Sequence, residues 1–213
     1  MQRPDRALDA KLNGGIEIMG RAETAQSSSS GPADSPPVLL ATDGSPDARI
    51  ALRVAVDLAL RTGALLHLLH AWMEPVWYDY MYGLPTTFEF RGEAEAVLKT
   101  EAARATRAGV PPVHAHLETG RPGWAAKREA ERINSGLLVV GSRGLGAIGR
   151  FVTGSVSDEL VQHAPCLVLV CRGDRRSWPP THIVVGDDLS DDSYSAALAA
   201  ARIAGALDGS SRA

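Results

Sequence analysis

The chain has 213 residues, 45% hydrophobic and 22% charged, proportions that fit a folded globular protein and exclude a disordered or fibrous one. Its formal net charge of -3 excludes the strongly basic surface that sequence-independent nucleic-acid binding requires, so nucleic acid is not expected as a partner. No apolar run approaches the roughly 20 residues of a membrane helix, and the N-terminus lacks an apolar signal core, so a cytoplasmic protein without membrane association is expected.

Residues 1–36 combine charges, Gly14-Gly15, a serine run from Ser27 to Ser30 and Pro32, with almost no apolar periodicity, and read as a disordered N-terminal arm. Within it, Ile16, Ile18 and Met19 form a short apolar patch to which no function is assigned. From residue 37 the texture changes to short apolar runs alternating with helical patterns, the signature of a parallel sheet with crossover helices. The runs Val38–Asp43, Leu65–Ala71, Val113–Glu118, Leu137–Gly141 and Leu167–Cys171 read as strands. Helices are expected over 46–62, 91–108, 122–135 and 154–164, the first with Ser45 as cap and Pro46 at its first position.

The connection from Trp72 to Phe90 is long and carries Trp77, Tyr78, Tyr80, Tyr82 and Phe88. It reads either as a lid or contact surface, or as rings covering the sheet edge. Cys166 and Cys171 stand an odd number of positions apart in an apolar run, so their side chains should lie on opposite faces, buried and unpaired. His114 and His116 share one face of a strand, but no third ligand with suitable spacing accompanies them, and no metal site is expected. After Arg172 a polar linker, 173–180, leads into 181–213, which repeats the pattern of residues 38–60. That segment reads as a short strand ending in Asp188, a turn rich in Ser and Asp, and an alanine-rich helix, a partial second copy of the domain.

The stretch from Leu137 to Leu160 carries the most chemical information. A buried strand ends at Gly141, Gly144 follows, nine residues intervene, and Gly154-Ser155 opens a helix. Glycines let phosphate oxygens approach main-chain N–H groups, and an uncapped helix N-terminus adds donors and a favourable dipole. Ser142 and Ser155 can supply hydroxyl donors, and Arg143 and Arg150 can neutralise phosphate charge. Asp43 ends the first strand where it could meet the same ligand; its other reading is as a turn residue that caps the next helix.

These residues resemble the ATP-binding subgroup of the universal stress protein family, whose signature is Gly, two residues, Gly, nine residues, Gly and Ser or Thr. Here it falls on Gly141, Gly144, Gly154 and Ser155. VLLATDGSPDA, LLHLLHAW and HAPCLVLVCR resemble the family's first, second and fifth strands, so the likeness covers residues 37–172. The resemblance implies an open five-stranded parallel α/β sheet of order 3-2-1-4-5 with helices on both faces, and an adenine nucleotide bound between strands 1 and 4. ATP, with or without Mg²⁺, is the expected ligand. Ala41, Thr42 and Asp43 would lie beside the adenosine, and Ala71 would face the adenine. Gly141, Ser142, Arg143 and Gly144 would line the ribose and first phosphates, and Gly154, Ser155 and Val156 would hold the outer ones.

The resemblance further implies pairing of subunits through the fifth strand. A truncated second copy supplies no fifth strand of its own, so a homodimer through Leu167–Cys171 is expected, with 183–207 beside that interface or against its own domain. The functional expectation is a nucleotide-dependent regulatory or stress-response module, with no catalytic residues assigned and at most slow ATP hydrolysis. Two alternatives stay open: an adenylate-forming or ATP-hydrolysing enzyme on the same sheet, and an interaction protein binding AMP or cyclic AMP. A dehydrogenase is disfavoured because the glycine turn follows the fourth strand rather than the first.

Overall fold

The computed structural model describes residues 16–19, 35–73, 87–144, 154–173 and 178–208, with side chains left aside at 16–19 and 87–89. Its strands are β1 (Ile16–Met19), β2 (Val38–Ala41), β3 (Leu66–Trp72), β4 (His114–Thr119), β5 (Leu137–Gly141) and β6 (Leu167–Cys171). Its helices are α1 (Pro46–Thr62), α2 (Thr87–Arg107), α3 (Pro122–Arg132), α4 (Ser155–His163) and α5 (Asp191–Asp208).

Five strands pair in parallel in the order β4-β3-β2-β5-β6, the expected 3-2-1-4-5 arrangement. Every one of these strands turns alternate side chains to opposite faces, as the period of 2 requires. Val38, Leu40, Leu66, Leu68, Val139, Leu169 and Cys171 pack with α1, α2 and α5. Leu39, Leu69, Leu138, Val140, Val168 and Val170 pack with α3 and α4. Both faces of the central strands are covered, which is why β2, β5 and β6 read as continuous apolar runs, while the edge strand β4 is largely polar. Leu39, Leu40, Leu68 and Leu138 lie fully out of solvent, each contributing roughly 1.5–3 kcal/mol by burial.

Local chemistry fixes the helix ends. The Ser45 hydroxyl accepts from the Ala48 N–H (3.2 Å) as N-cap of α1, Pro46 starts the helix, and Gly63 ends it in the left-handed conformation at φ 70°. The helix expected over 122–135 stops at Arg132, with Asn134 at φ 51° beyond it. Cys166 and Cys171 are free and belong to clusters on opposite faces of the sheet.

The structure corrects the sequence reading in three places. The segment read as a disordered arm contains β1, which pairs antiparallel with β6 in a register from Ile16 opposite Cys171 to Met19 opposite Val168. The Leu167–Cys171 edge expected to serve a homodimer is therefore occupied within the chain. Thirdly, the strand expected before Asp188 does not form. Residues 182–188 have no regular structure, and Val184 is 93% exposed; among the described residues the segment pairs with no strand of the sheet.

The rest of the C-terminal segment docks on its own domain. The buried Trp178 ring joins the α1 cluster and its indole N–H donates to Asp57 (2.9 Å). Helix α5 packs against α1 and β1, buries Ile203, and its Leu207 carbonyl accepts from Arg61 (3.1 Å). The turn ahead of α5 repeats the one ahead of α1. Ser190 N–H donates to Asp188 (3.0 Å) as Ser45 N–H donates to Asp43 (3.0 Å), and each serine caps the helix that follows it. The middle residues share positive φ, 65° at Leu189 and 73° at Gly44. Among the described residues no helix is long and apolar enough to cross a membrane. The run from Trp77 to Tyr82 and Arg150 lie outside the described residues.

Candidate functional site

Strands β2 and β5 are neighbours, yet the chain leaves them in opposite directions across the sheet, β2 toward β3 and β5 toward β6. Their carboxyl ends define the crevice where open α/β sheets bind ligands. Ala41 ends β2 and, half-buried, packs in the cluster under α3 and α4. Thr42 is buried; its N–H donates to the Leu69 carbonyl (2.9 Å), and its hydroxyl accepts from the Gly44 N–H (3.2 Å). The Thr42 carbonyl can only accept, so the His70 ring nitrogen 2.6 Å away carries its proton on Nδ1. That bond ties the end of β3, including Ala71, to the end of β2.

The β5 side is built as tightly. Ser142 N–H donates to the Cys171 carbonyl (2.8 Å), and the Ser142 carbonyl accepts from the Gly154 N–H (2.7 Å), closing the nine-residue excursion between Gly144 and Gly154. The buried Ser157 hydroxyl reaches both the Gly154 and Ser142 carbonyls, at 2.8 and 3.3 Å. Helix α4 begins at N-cap Gly154, which has no side chain of its own to bond the first N–H groups of the helix. Ser155 is exposed and Val156 half-buried in that first turn.

The two sides are joined through α1. Ser142 hydroxyl donates to the Asp47 carboxylate (2.8 Å), Arg143 Nε lies 3.4 Å from the same oxygen, and the Ser45 hydroxyl donates to the Arg143 carbonyl (3.2 Å). Two glycines mark where chain meets chain. A Cβ at Gly144 would stand 2.6 Å from an Asp43 carboxylate oxygen, so the acid after β2 and the glycine after β5 share one spot. A Cβ at Gly141 would stand 2.8 Å from the Ala48 nitrogen and the Asp47 carbonyl carbon, so that glycine lets β5 reach the first turn of α1.

The fold thus brings together Thr42, Asp43, Ser142, Arg143, Gly144 and Gly154, with Ser155 and Val156 on the adjoining helix and Ala71 one strand away. Sequence reasoning missed Asp47 as the tie between the two sides. Its one local signal is an acid in the first turn of α1 with little exposure. The arrangement presents a carboxylate acceptor, backbone N–H donors and hydroxyls around the glycines at the ends of β2 and β5, groups able to hydrogen-bond a polar, anionic ligand.

The chain matches the universal stress protein family over residues 36–172. A protein of Staphylococcus haemolyticus bearing the universal stress protein name is 39% identical over 137 residues, covering 63% of this chain and 83% of that one. The solved UspA from Lactobacillus plantarum superposes with a TM-score of 0.56 at 24% identity, over 65% of this chain and 99% of that one. A universal stress protein solved in complex with cAMP superposes with a TM-score of 0.52 at 25% identity, over 65% of this chain and 97% of its own.

Proposed function

The chain belongs to the universal stress protein family, and from that premise we propose that it binds ATP, with Mg²⁺ as companion ion, in the crevice between β2 and β5, and that the bound nucleotide sets the conformation or partners of a stress-response regulatory module. The observation that carries this reading is the meeting of Asp43 with Gly144 near the N-terminus of α4, whose N-cap residue is a glycine. A carboxylate there can accept from ribose hydroxyls or the base, and the helix start can donate to phosphate oxygens. In this reading Ala41, Thr42 and Ala71 line the adenosine, Gly141 to Gly144 flank the ribose and inner phosphates, and Gly154, Ser155 and Val156 hold the outer phosphates.

A second reading, cAMP or AMP in the same crevice, is favoured by the cAMP-bound relative. The two differ in what they ask of α4, because a single phosphate close to the ribose needs the Gly141–Gly144 turn but not the outer helix start. Thermal unfolding of the full chain with each nucleotide at about 100 times its dissociation constant should show about 2.7 kcal/mol of stabilisation for a true ligand. Ser155→Ala should weaken ATP and leave cAMP unchanged if ATP occupies both parts. Equal loss for both nucleotides, or for neither, contradicts the ATP assignment. Residues 181–213 are read, in the same proposal, as a partial second copy of the domain, supported by the repeated turn at Asp188–Ser190.

A further inference from the structure

Away from the crevice, on the sheet face under α3, the fold gathers side chains that no nucleotide reading uses. His67 lies near the start of β3, directly opposite His114 of β4, and His116 stands opposite Leu69. All three imidazoles therefore point to the face on which Leu69 packs, where α3 brings down Glu129. His67 Nδ1 and His116 Nε2 are 3.0 Å apart, and His116 Nδ1 is 3.3 Å from a Glu129 carboxylate oxygen. The His67 ring stacks on His114 at 4.7 Å between centroids.

We propose that His67, His116 and Glu129 form a binding site for a divalent transition-metal ion of the zinc class. One nitrogen from each histidine and one oxygen from the glutamate lie within 4.8 Å of one another. Ligands of a tetrahedral ion bound at roughly 2.0–2.1 Å stand about 3.4 Å apart, so only small side-chain rotations separate this cluster from a coordinated one. Two imidazoles and a carboxylate are a borderline donor set that suits zinc and its neighbours and disfavours magnesium or calcium, which take oxygen.

Burial and the adjoining imidazoles push His67 down to about 4, and burial also lowers His116. His116 is half-buried, which leaves a route for an ion and a place for water as a further ligand.

Arg132 is the group that opposes metal entry. It grips Glu129 with two bonds of 2.7 Å from the same helix, yet its side chain is 58% exposed and can turn into solvent. This gives a test that separates a metal site from a merely structural hydrogen-bond cluster. Chelator-stripped full chain would be titrated with Zn²⁺ against a chromophoric competitor, with Co²⁺ absorption as an independent reading of four-coordinate geometry. One ion per chain is expected. His67→Gln and His116→Gln should each lower affinity by more than the roughly 10–100-fold that loss of an outer-shell partner costs. Arg132→Ala should bind Zn²⁺ several-fold more tightly, since it removes a like charge and no ligand. His163→Ala and His182→Ala, at surface positions, should change nothing. If a histidine variant fails to fold, the Arg132→Ala result and the Co²⁺ spectrum still decide. Absence of saturable binding, binding that survives His67→Gln and His116→Gln in folded protein, or unchanged affinity in Arg132→Ala would overturn the proposal.

Discussion

Gly44, Gly141, Gly144 and Gly154 surround one crevice but lack side chains for different reasons, and substitution should separate them. Gly44 needs its positive φ of 73° to turn the chain after Asp43. Gly141 faces backbone of α1, which cannot swing aside, so Gly141→Ala should lower stability by about 1–3 kcal/mol with or without nucleotide. Gly144 faces only the end of the Asp43 side chain, so Gly144→Ala should cost far less stability and act on ligand binding instead. Chemical denaturation of both variants, with and without ATP, checks this split; equal stability losses would contradict it. Ser142→Ala removes a donor from the nearly buried Asp47 carboxylate and should cost about 1–3 kcal/mol in the same assay. The thiols offer a reactivity test. Burial pushes Cys166 up to about 11 and Cys171 higher still, so both stay protonated and inert. Alkylation at pH 8 should be at least tenfold slower in native than in unfolded chain, and equal rates would show that the β6 region opens.

The parallel strands and their helices were legible because each carries its signal locally: apolar runs of strand length, Pro46 and Pro122 at helix starts, Gly63 at a helix end. What could not be read depends on partners far apart in sequence. Ile16–Met19 is a four-residue patch in a polar arm, and only the β6 edge, some 150 positions later, makes it a strand. Ile183–Val185 has the better strand sequence and yet pairs with none of the described strands, an outcome that nothing local in the sequence signals. The same rule explains the histidine cluster. His114 and His116 are adjacent on one strand, whereas His67 and Glu129 arrive only through β3–β4 pairing and the docking of α3. Of the crevice, the glycine spacing and Asp43 were readable, while the Asp47 tie is a contact between a helix and a distant strand end. Strand β1 also carries a prediction. Deleting residues 1–20 should bare the β6 edge and drive pairing of two chains through Leu167–Cys171. Light scattering should then show a larger species than for the full chain, and an unchanged mass would show that β1 does not guard that edge.

At the scale of the whole molecule, the C-terminal helix packs on α1 and β1 at one edge of the sheet, while the crevice at the ends of β2 and β5 is bounded by the starts of α1 and α4. Nucleotide binding there would clamp the β2 side to the β5 side through the ligand, in parallel with the Ser142–Asp47 bond, and so stiffen the centre of the sheet. Isothermal titration of the full chain with ATP, alongside Gly154→Val, tests this most directly. A Cβ at residue 154 stands 3.0 Å from the Ser142 carbonyl and beside the start of α4. The expected result is one ATP per chain, with affinity reduced about tenfold or more, roughly 1.4 kcal/mol, in a Gly154→Val variant that is folded though less stable, since its added side chain presses on the Ser142 carbonyl. No heat with ATP, or the same affinity in folded Gly154→Val, would contradict the assignment of ATP to this crevice.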